Sequence, residues 1–372
     1  MKFDLFSLLQ KRDESWTDRG TYESVAENVK LAEQIGFETA WFAEHHFNNY
    51  SLCPSPLLAC TYMAGMTSKI RLGTSILVLP LYEPARIVQE IGQADVITNG
   101  RLVVGIGSGY QDYEFQRFRV RIDEAIDRTL EILDMIELGL SQDVFSYNGK
   151  HYQLPPTQVA VKPIQKPLPE IWVAGLMGHP KVQKRVAESG YVPFLTPSWN
   201  HISSLAKARQ AYDDVYRSIG RDPAELPLSL MRFVHVTDSK AEAREAAERA
   251  RYSSRLSLSL RLNYSKINGI YVEELPAQNE PPIEQMEKNY IIGDAETCAQ
   301  RILEDYEVMR HSHVAFNVQL GGVPHARTMK TLEALGSKVI PAVEKEFKRR
   351  GTKFPVIRQR PLATHPKAAA AE

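Results

Sequence analysis

A carboxylate and two imidazoles, Glu44, His45 and His46, begin one residue after the apolar run Thr39–Phe42. The run predicts a short buried strand, and polar groups at the end of such a strand cost free energy unless they are solvated, paired or used in a reaction. Histidine ordinarily titrates near neutral pH, so its imidazole suits proton transfer. Two interpretations are open here: an acid–base site, or a strand end at which the histidines are satisfied structurally.

A glycine loop at residues 175–180 lies between a predicted strand and a predicted helix. Gly175 and Gly178 let backbone N–H groups turn toward one point, and the positive end of the helix that follows His179 favours an anion. This pattern is typical of a phosphate site. An ordinary tight turn between a strand and a helix explains it equally well.

A second glycine-rich segment, Gly-Ile-Gly-Ser-Gly at residues 105–109, is similar to a dinucleotide-binding fingerprint. Tyr110 occupies the position of a later glycine that this fingerprint requires, so the spacing fails. We therefore interpret the segment, with Ser108, as a close approach of the backbone to a planar ligand and not as a nicotinamide site. Trp199, on a later loop, is expected either to flank a ring-shaped ligand or to belong partly to the core.

The overall composition argues against several classes of partner. The 45 basic and 45 acidic residues balance, which gives no electrostatic case for nucleic acid or an anionic membrane. Three cysteines without metal-type spacing indicate a reduced compartment, and no signal peptide or membrane-spanning run is recognisable, so we expect a soluble cytoplasmic protein. His311 and His313 point the same way on a predicted strand, but a metal would need a third ligand, and none is near in the sequence.

The elements that position these residues alternate between strand and helix eight times. Such alternation implies parallel pairing, and eight units close into an α/β fold of the (β/α)8, or TIM, barrel type; an open doubly wound sheet is the alternative. In a barrel, the residues named above gather at the carboxyl ends of the strands. Barrels commonly bind phosphate near the last strands, which makes the glycine pair 321–322 a second phosphate candidate.

One barrel domain is expected to cover residues 1–349, with a flexible tail at 350–372. Two insertions interrupt the alternation, at about 139–169 and 252–290. The first contains a predicted short hairpin around residues 147–150. The second has no steady apolar period, and an irregular segment of this length inside a compact fold is usually functional or mobile, so we expect it to act as a lid.

Five segments in this order resemble the bacterial luciferase-like flavin-dependent monooxygenases, and the resemblance extends over roughly residues 1 to 345. The segments that carry it are 43–47 (Ala-Glu-His-His-Phe), 70–75 (Ile-Arg-Leu-Gly-Thr-Ser), 95–107, 171–175 (Ile-Trp-Val-Ala-Gly) and 292–296 (Ile-Gly-Asp-Ala-Glu). The resemblance implies a barrel that binds reduced flavin mononucleotide (FMN), delivered by a separate flavin reductase. Oxygen then forms a peroxyflavin, which oxygenates a small organic substrate such as an aldehyde or a ketone, beneath a lid that excludes water.

The same resemblance assigns roles to residues after the second and third strands. His45 matches the catalytic acid or base near the reactive carbon of the flavin, and His46 and Glu44 are expected to support it by hydrogen bonds. Thr74 and Ser75 match a non-prolyl cis peptide beneath the flavin ring.

Phosphate binding departs from the family pattern. The loop 175–179 matches the phosphate loop of the family, and Trp199 matches an aromatic residue near the flavin. Light-emitting members carry an arginine that contacts phosphate at the position of Ser108. Here the phosphate is expected to use backbone groups or one of three side chains: His179, Arg119 or Arg121.

Two other functions compete with a monooxygenase: a deazaflavin-dependent two-electron oxidoreductase of the same superfamily, and a flavin-binding protein without turnover. The resemblance also implies a homodimer that pairs through helices near the second and third strands. The apolar residues that could form this face, or equally the core of one barrel, are Leu57, Leu58, Tyr62, Ile87 and Ile91.

Overall fold

The computed structural model describes residues 1–175 and 179–360, which form helices around a closed barrel. The strands are β1 (Lys2–Ser7), β2 (Thr39–Phe42), β3 (Arg71–Thr74), β4 (Leu77–Val78), β5 (Leu102–Gly107), β6 (Phe145–Asn148), β7 (Gln153–Thr157), β8 (Glu170–Ala174), β9 (Val192–Leu195), β10 (Ser229–Val236), β11 (Ile267–Asn268), β12 (Tyr271–Val272), β13 (Ile291–Gly293) and β14 (His313–Asn317). The helices are α1 (Asp18–Gln34), α2 (Pro56–Ala64), α3 (Pro84–Ile97), α4 (Asp112–Phe118), α5 (Ala125–Ser141), α6 (Pro180–Ser189), α7 (Ala206–Ser218), α8 (Lys240–Leu262), α9 (Ile283–Asn289), α10 (Ala295–Met309), α11 (His325–Ala334) and α12 (Ile340–Arg350).

Eight parallel strands close the barrel in the order β1, β2, β3, β5, β8, β9, β10 and β14, with β14 returning to β1. The predicted (β/α)8 fold is confirmed, and the open doubly wound sheet is wrong because β10 and β14 join the two ends of the sheet. The predicted bounds of the second barrel strand agree with β2. β13 lies outside the barrel and, within residues 1–175 and 179–360, pairs with β10 alone.

Local sequence chemistry starts several of the helices around the barrel. The Thr17 side chain accepts a hydrogen bond from the Gly20 amide at the start of α1, and Asp294 does the same for Thr297 at the start of α10. Proline occupies the first turn of α2, α3 and α6, where its missing N–H costs nothing. The parallel pairing of the strands places their carboxyl ends at one face of the barrel.

Aromatic rings fill the barrel interior. Trp41 lies 4.5 Å from Trp172 and 5.2 Å from Phe194 between ring centroids. Gly73 on the adjacent strand makes room for these rings, since a Cβ atom there would lie 2.3 Å from the Trp41 ring. The interior is therefore a packed core, and the space for a ligand is at its carboxyl-terminal mouth.

The glycine-rich segment that begins in β5 is explained mostly by strand packing. A Cβ atom on Gly105 would lie 2.0 Å from the carbonyl oxygen of Thr74, and one on Gly107 would lie 2.2 Å from the Ile76 side chain. Strand packing therefore accounts for these two glycines, and our interpretation that the segment approaches a planar ligand stays a prediction. Gly109, which has a positive φ of 74°, is the member that reaches the mouth of the barrel.

The second insertion starts later than predicted. We expected helical periodicity to fail at residue 252, but α8 continues to Leu262. Tyr252, Leu256 and Leu260 are buried at four-residue spacing and extend the inward face of this helix. Irregular chain with the β11–β12 hairpin and α9 occupies only residues 263–290.

The tail also differs from the prediction, because residues 351–360 pack on the barrel. The Phe354 ring lies 5.1 Å from the Phe347 ring, and Gln359 exchanges hydrogen bonds with the backbone of Ile171 at 3.0 and 2.9 Å. The Arg360 amide donates to the carbonyl of Ser189 at 2.8 Å. The predicted flexible tail is therefore wrong for this stretch, and residues 361–372 lie outside the described part of the chain.

The predicted hairpin of the first insertion is confirmed as β6 and β7, and one carboxylate holds its turn. Glu131, buried on α5, accepts from the amides of Lys150, His151 and Tyr152 at 2.7, 2.9 and 3.1 Å.

Replacing Glu131 by alanine is expected to lower the free energy of unfolding by about 2–3 kcal/mol, because a charged acceptor for three N–H groups is lost. Urea unfolding followed by circular dichroism measures this. Glu131→Gln, which keeps one acceptor oxygen, should lose less, and an unchanged midpoint in the alanine variant would contradict the prediction.

Candidate active site

A cavity of about 550 Å³ opens at the carboxyl-terminal mouth of the barrel. All eight barrel strands or the loops after them contribute to its wall, and α8 contributes one further side. Much of the wall is apolar, through residues such as Phe6, Leu8, Phe194 and Leu195. Its size and mixed lining are typical of a site for a cofactor or a small substrate.

His45 reaches this cavity from the loop after β2. Its Nδ1 atom lies 2.9 Å from Nε2 of Gln111 and 3.2 Å from Oε1 of Glu114. The Tyr50 and Tyr110 rings flank the imidazole, with centroids 4.7 and 5.8 Å away. Among the described residues no group bonds to Nε2, so this nitrogen is available to a molecule in the cavity.

The two partners of Nδ1 allow two states of the ring. When Nδ1 has no proton, the Gln111 amide donates to it and Nε2 carries the proton. When Nδ1 is protonated, it donates to the Glu114 carboxylate and a neutral ring has a free lone pair at Nε2. His45 is thus held in one position in either state, and its Nε2 can give or take a proton.

Within the described chain, Glu44 and the His46 side chain make no hydrogen bond to the His45 ring, so the predicted direct support of His45 is not observed. Oε1 of Glu44 pairs with Nε2 of His46 at 2.9 Å, and its Oε2 accepts from the Tyr82 hydroxyl at 2.6 Å. Burial raises the pKa of the Glu44 carboxyl. His46 contributes through its backbone, because its amide donates to Glu114 at 2.8 Å and fixes that carboxylate.

Sequence reasoning missed Gln111 and Glu114. They come at the start of α4, a helix of seven residues that we did not predict. The available signal was their spacing, because residues three positions apart on a helix lie on the same face. Nothing local connects them to His45, which is more than sixty positions earlier in the chain.

The non-prolyl cis peptide lies one residue later than predicted, between Ser75 and Ile76. Both residues line the cavity. Thr74 is structural instead: its Oγ1 atom bonds to the amide and the carbonyl of Gly105 at 2.9 and 2.8 Å and joins β3 to β5.

The remaining predicted cofactor residues divide between the cavity wall and its surroundings. Trp199 lines the cavity, and its carbonyl accepts from the Asn289 side chain at 2.8 Å. Gly175 also lines it, and Gly178 lies outside the described residues. Within the described chain the cavity wall does not include Ser108 or His179.

The basic residues expected to bind phosphate lie elsewhere. Arg121 pairs with Asp123 at 2.6 Å on the surface, and within the described chain neither it nor Arg119 lines the cavity. The glycine pair 321–322 is held by Arg249, which donates to it. A different arginine, Arg261, does line the cavity. It lies in the last turn of α8, beyond the residue at which we expected this helix to end.

His311 and His313 are buried, and in the described part of the chain no cluster of three or more His, Cys, Asp or Glu residues could hold a metal ion. Burial lowers the pKa of each imidazole to about 3. Because the folded pKa is below the unfolded one, these residues contribute stability that is present above about pH 6.5 and is lost as the pH falls toward 3.

Stability is therefore expected to fall on acidification, by up to about 1.4 kcal/mol per pH unit for each histidine between those limits. Asp4, whose pKa burial raises to about 8, acts in the opposite direction between about pH 4 and 8. Comparing His313→Asn with the wild type separates the contribution of this histidine from that of Asp4. The melting temperature of the variant should depend less steeply on pH below 6.5. Parallel profiles would contradict this expectation.

Membrane insertion has no support among the helices, because none in the described chain combines the length and the apolar character that crossing a bilayer requires.

Comparison with known proteins now defines the class. Residues 1–312 match the model of the luciferase-like monooxygenases, and the chain belongs to this family. The family resemblance of the sequence is thereby confirmed. An uncharacterized protein, y4vJ of Sinorhizobium fredii, is 40% identical over 351 residues, which cover 94% of this chain and 99% of that protein.

Characterised relatives place the chain among oxidoreductases. The oxygenase component of a flavin-dependent trigonelline monooxygenase from Acinetobacter baylyi is 28% identical over 92% of this chain and 95% of that protein. The oxygenating constituent of 3,6-diketocamphane monooxygenase from Pseudomonas putida, solved with FMN, has the same fold, with a TM-score of 0.76, 20% identity and coverage of 92% and 98%. An F420-dependent glucose-6-phosphate dehydrogenase from Amycolatopsis mediterranei is also similar, at 24% identity over 79% of this chain and 87% of that protein.

Proposed function

We propose that this chain is the oxygenase component of a two-component monooxygenase, which takes reduced FMN from a separate reductase and oxygenates a small organic substrate. The observation that carries the proposal is His45, which lines the cavity while Gln111 and Glu114 hold its Nδ1 atom. The 28% identity to a flavin-dependent oxygenase component supports the same division of labour. The substrate class expected from the family is an aldehyde, a ketone or a similar compound.

The residues at the mouth suit a flavin. The cavity offers apolar walls for a ring system, with Ile76 and Trp199 among them. Asn317 lines the same space, and its buried Oδ1 atom has no hydrogen-bond partner among the described residues. Bound reduced FMN would supply the two electrons with which oxygen is divided between the product and water.

The protein itself would contribute a proton site and a dry enclosure. His45 would give or take a proton at Nε2, and Gln111 and Glu114 would keep the ring in place as the proton moves. The α8 side of the cavity, together with residues 263–290, would limit access of water. This replaces the expectation of an irregular lid at 252–290.

Rapid mixing tests the proposal. The protein is mixed anaerobically with reduced FMN and then with oxygen, and absorbance is followed between the reduced and oxidised flavin bands. A transient absorbance that belongs to neither form is the expected result. Oxidation in a single step would count against an oxygenase.

A deazaflavin-dependent oxidoreductase is the second candidate, and the F420-dependent relative favours it. A deazaflavin reacts hardly at all with oxygen, so oxygen consumption separates the two functions. Failure to bind reduced FMN, with turnover of reduced F420 in the absence of oxygen, would select the second candidate.

A homodimer in the cytoplasm remains part of the proposal. On α2, Leu58 and Tyr62 are 70% and 50% exposed and are available to a second copy of the chain. Leu57, Ile87 and Ile91 are buried in the barrel core and are not available. Light scattering on the purified protein measures the oligomeric state, and Leu58→Glu is expected to disrupt the dimer. A monomeric wild type would contradict the proposed dimer.

A further inference from the structure

The arginines of α8 divide into paired and unpaired residues. Four of the five have a glutamate within 4.0 Å, and the closest pairs are Arg244–Glu284 at 2.6 Å, Arg249–Glu245 at 2.7 Å, Arg251–Glu280 at 3.9 Å and Arg255–Glu280 at 2.6 Å. Arg261 has no carboxylate partner and no hydrogen bond among the described residues. It is also the arginine of this helix that lines the barrel cavity.

The position of Arg261 connects it to the reacting end of the site. Its guanidinium carbon lies 4.9 Å from the centroid of the Tyr110 ring, and that ring is 5.8 Å from the His45 imidazole. Ser257, one turn earlier on α8, approaches the Tyr110 hydroxyl at 3.4 Å and also lines the cavity. Tyr110 thus lies between the cation and the proton site, and α8 presents a hydroxyl and a guanidinium to the same space.

The charges on the cavity wall make this arginine distinctive. Within the described chain, the other ionisable side chains on the wall that carry charge are Glu44 and Glu114, and His45 when it is protonated. Both carboxylates are bonded to protein groups, Glu44 to a histidine and a tyrosine and Glu114 to His45 and a backbone amide. The wall therefore offers an incoming molecule one fixed positive charge whose donors are not used by the protein.

We propose that Arg261 binds the oxyanion of the organic substrate, so that the substrate is a small organic acid carrying a carboxylate or a similar group in addition to the position that is oxidised. The proposal rests on the proposed function for the identity of the reaction, but not for the binding itself. A guanidinium binds such a group through two parallel N–H donors, and the Tyr110 ring restricts its orientation. The phosphate of FMN is the other source of an oxyanion, and the proximity of Tyr110 to His45 favours the substrate.

A helix-dipole role is the simpler account of a cation in the last turn of α8. That role requires no ligand and predicts no selectivity between an acid and its neutral analogue. Binding experiments therefore separate it from the proposal.

The first arm of the test uses benzoate and benzamide, titrated calorimetrically into the wild type, Arg261→Gln and Arg261→Lys. The wild type should bind benzoate about tenfold more tightly than benzamide, which is the scale of one charge-assisted interaction. Arg261→Gln should remove this preference, and Arg261→Lys should restore part of it. Arg244→Gln, which removes a paired and outward-facing arginine from the same helix, is the matched control and should keep the full preference. A wild type without the preference, or a preference that survives in Arg261→Gln, overturns the proposal.

The second arm compares reduced FMN with reduced riboflavin, which lacks the phosphate, by anaerobic equilibrium dialysis. Arg261→Gln should change neither affinity by more than about twofold. A selective loss of FMN affinity would assign the oxyanion to the flavin phosphate and overturn the substrate assignment. If the wild type binds neither flavin, the proposed function fails, while the benzoate arm still decides the role of Arg261.

Discussion

His45→Ala is expected to lower coupled oxygenation by at least about a hundredfold while reduced FMN still binds. A positioned acid or base contributes on this scale, and within the described chain the alanine variant leaves the cavity wall without an imidazole. Single-turnover experiments, with product and hydrogen peroxide measured per reduced flavin, follow the loss. Flavin should be oxidised with peroxide as the main product, since oxygen is still reduced when the proton transfer fails.

His46→Gln is the matched control for this variant. His46 is the next residue in the chain, but its side chain bonds to Glu44 and is not part of the described cavity wall. Its replacement should therefore lower oxygenation far less than the loss of His45. If His45→Ala loses flavin affinity as severely as activity, His45 is a structural residue. If both histidine variants lose activity equally, the assignment of the proton site to His45 is wrong.

The sequence predicted what depends on local patterns. The apolar run of β2 followed by Glu44, His45 and His46 located the mouth of the barrel, because titratable groups directly after a buried strand mark the point where the chain leaves the core. The alternation of strands and helices defined the barrel, since it requires parallel pairing. Trp199 and Gly175 could be placed near the cavity because they follow strands of a barrel, and the carboxyl ends of those strands converge.

The sequence could not predict contacts made between distant segments. Glu114 meets His45 across 69 positions, and its helix of seven residues is too short to leave a periodic signal. On α8, the four-residue spacing of Tyr252, Leu256 and Leu260 continues after Arg251, but the serines that line the cavity stand between these residues and obscure the apolar pattern. The helix was therefore predicted to end too early, and Arg261 was missed with it.

Glu114→Ala is expected to reduce oxygenation by about ten- to a hundredfold, through the position and the proton of His45. Without the carboxylate, Nδ1 keeps only the Gln111 amide, which donates and so favours the ring with its proton at Nε2. The ring then loses the state in which Nε2 has a free lone pair. Nitrogen NMR of the labelled imidazole reads this directly, as a shift of the signals toward the Nε2–H form.

Glu114→Gln separates the charge from the geometry of this contact. Its amide oxygen can still accept from the His46 amide, so the loop after β2 should keep its position, but the negative charge that favours a proton on Nδ1 is lost. We expect an intermediate loss of activity and an intermediate shift of the imidazole signals. A wild-type NMR signature with low activity in both variants would mean that Glu114 acts on the substrate or the flavin directly, and that the Nδ1 contact does not set the proton of His45.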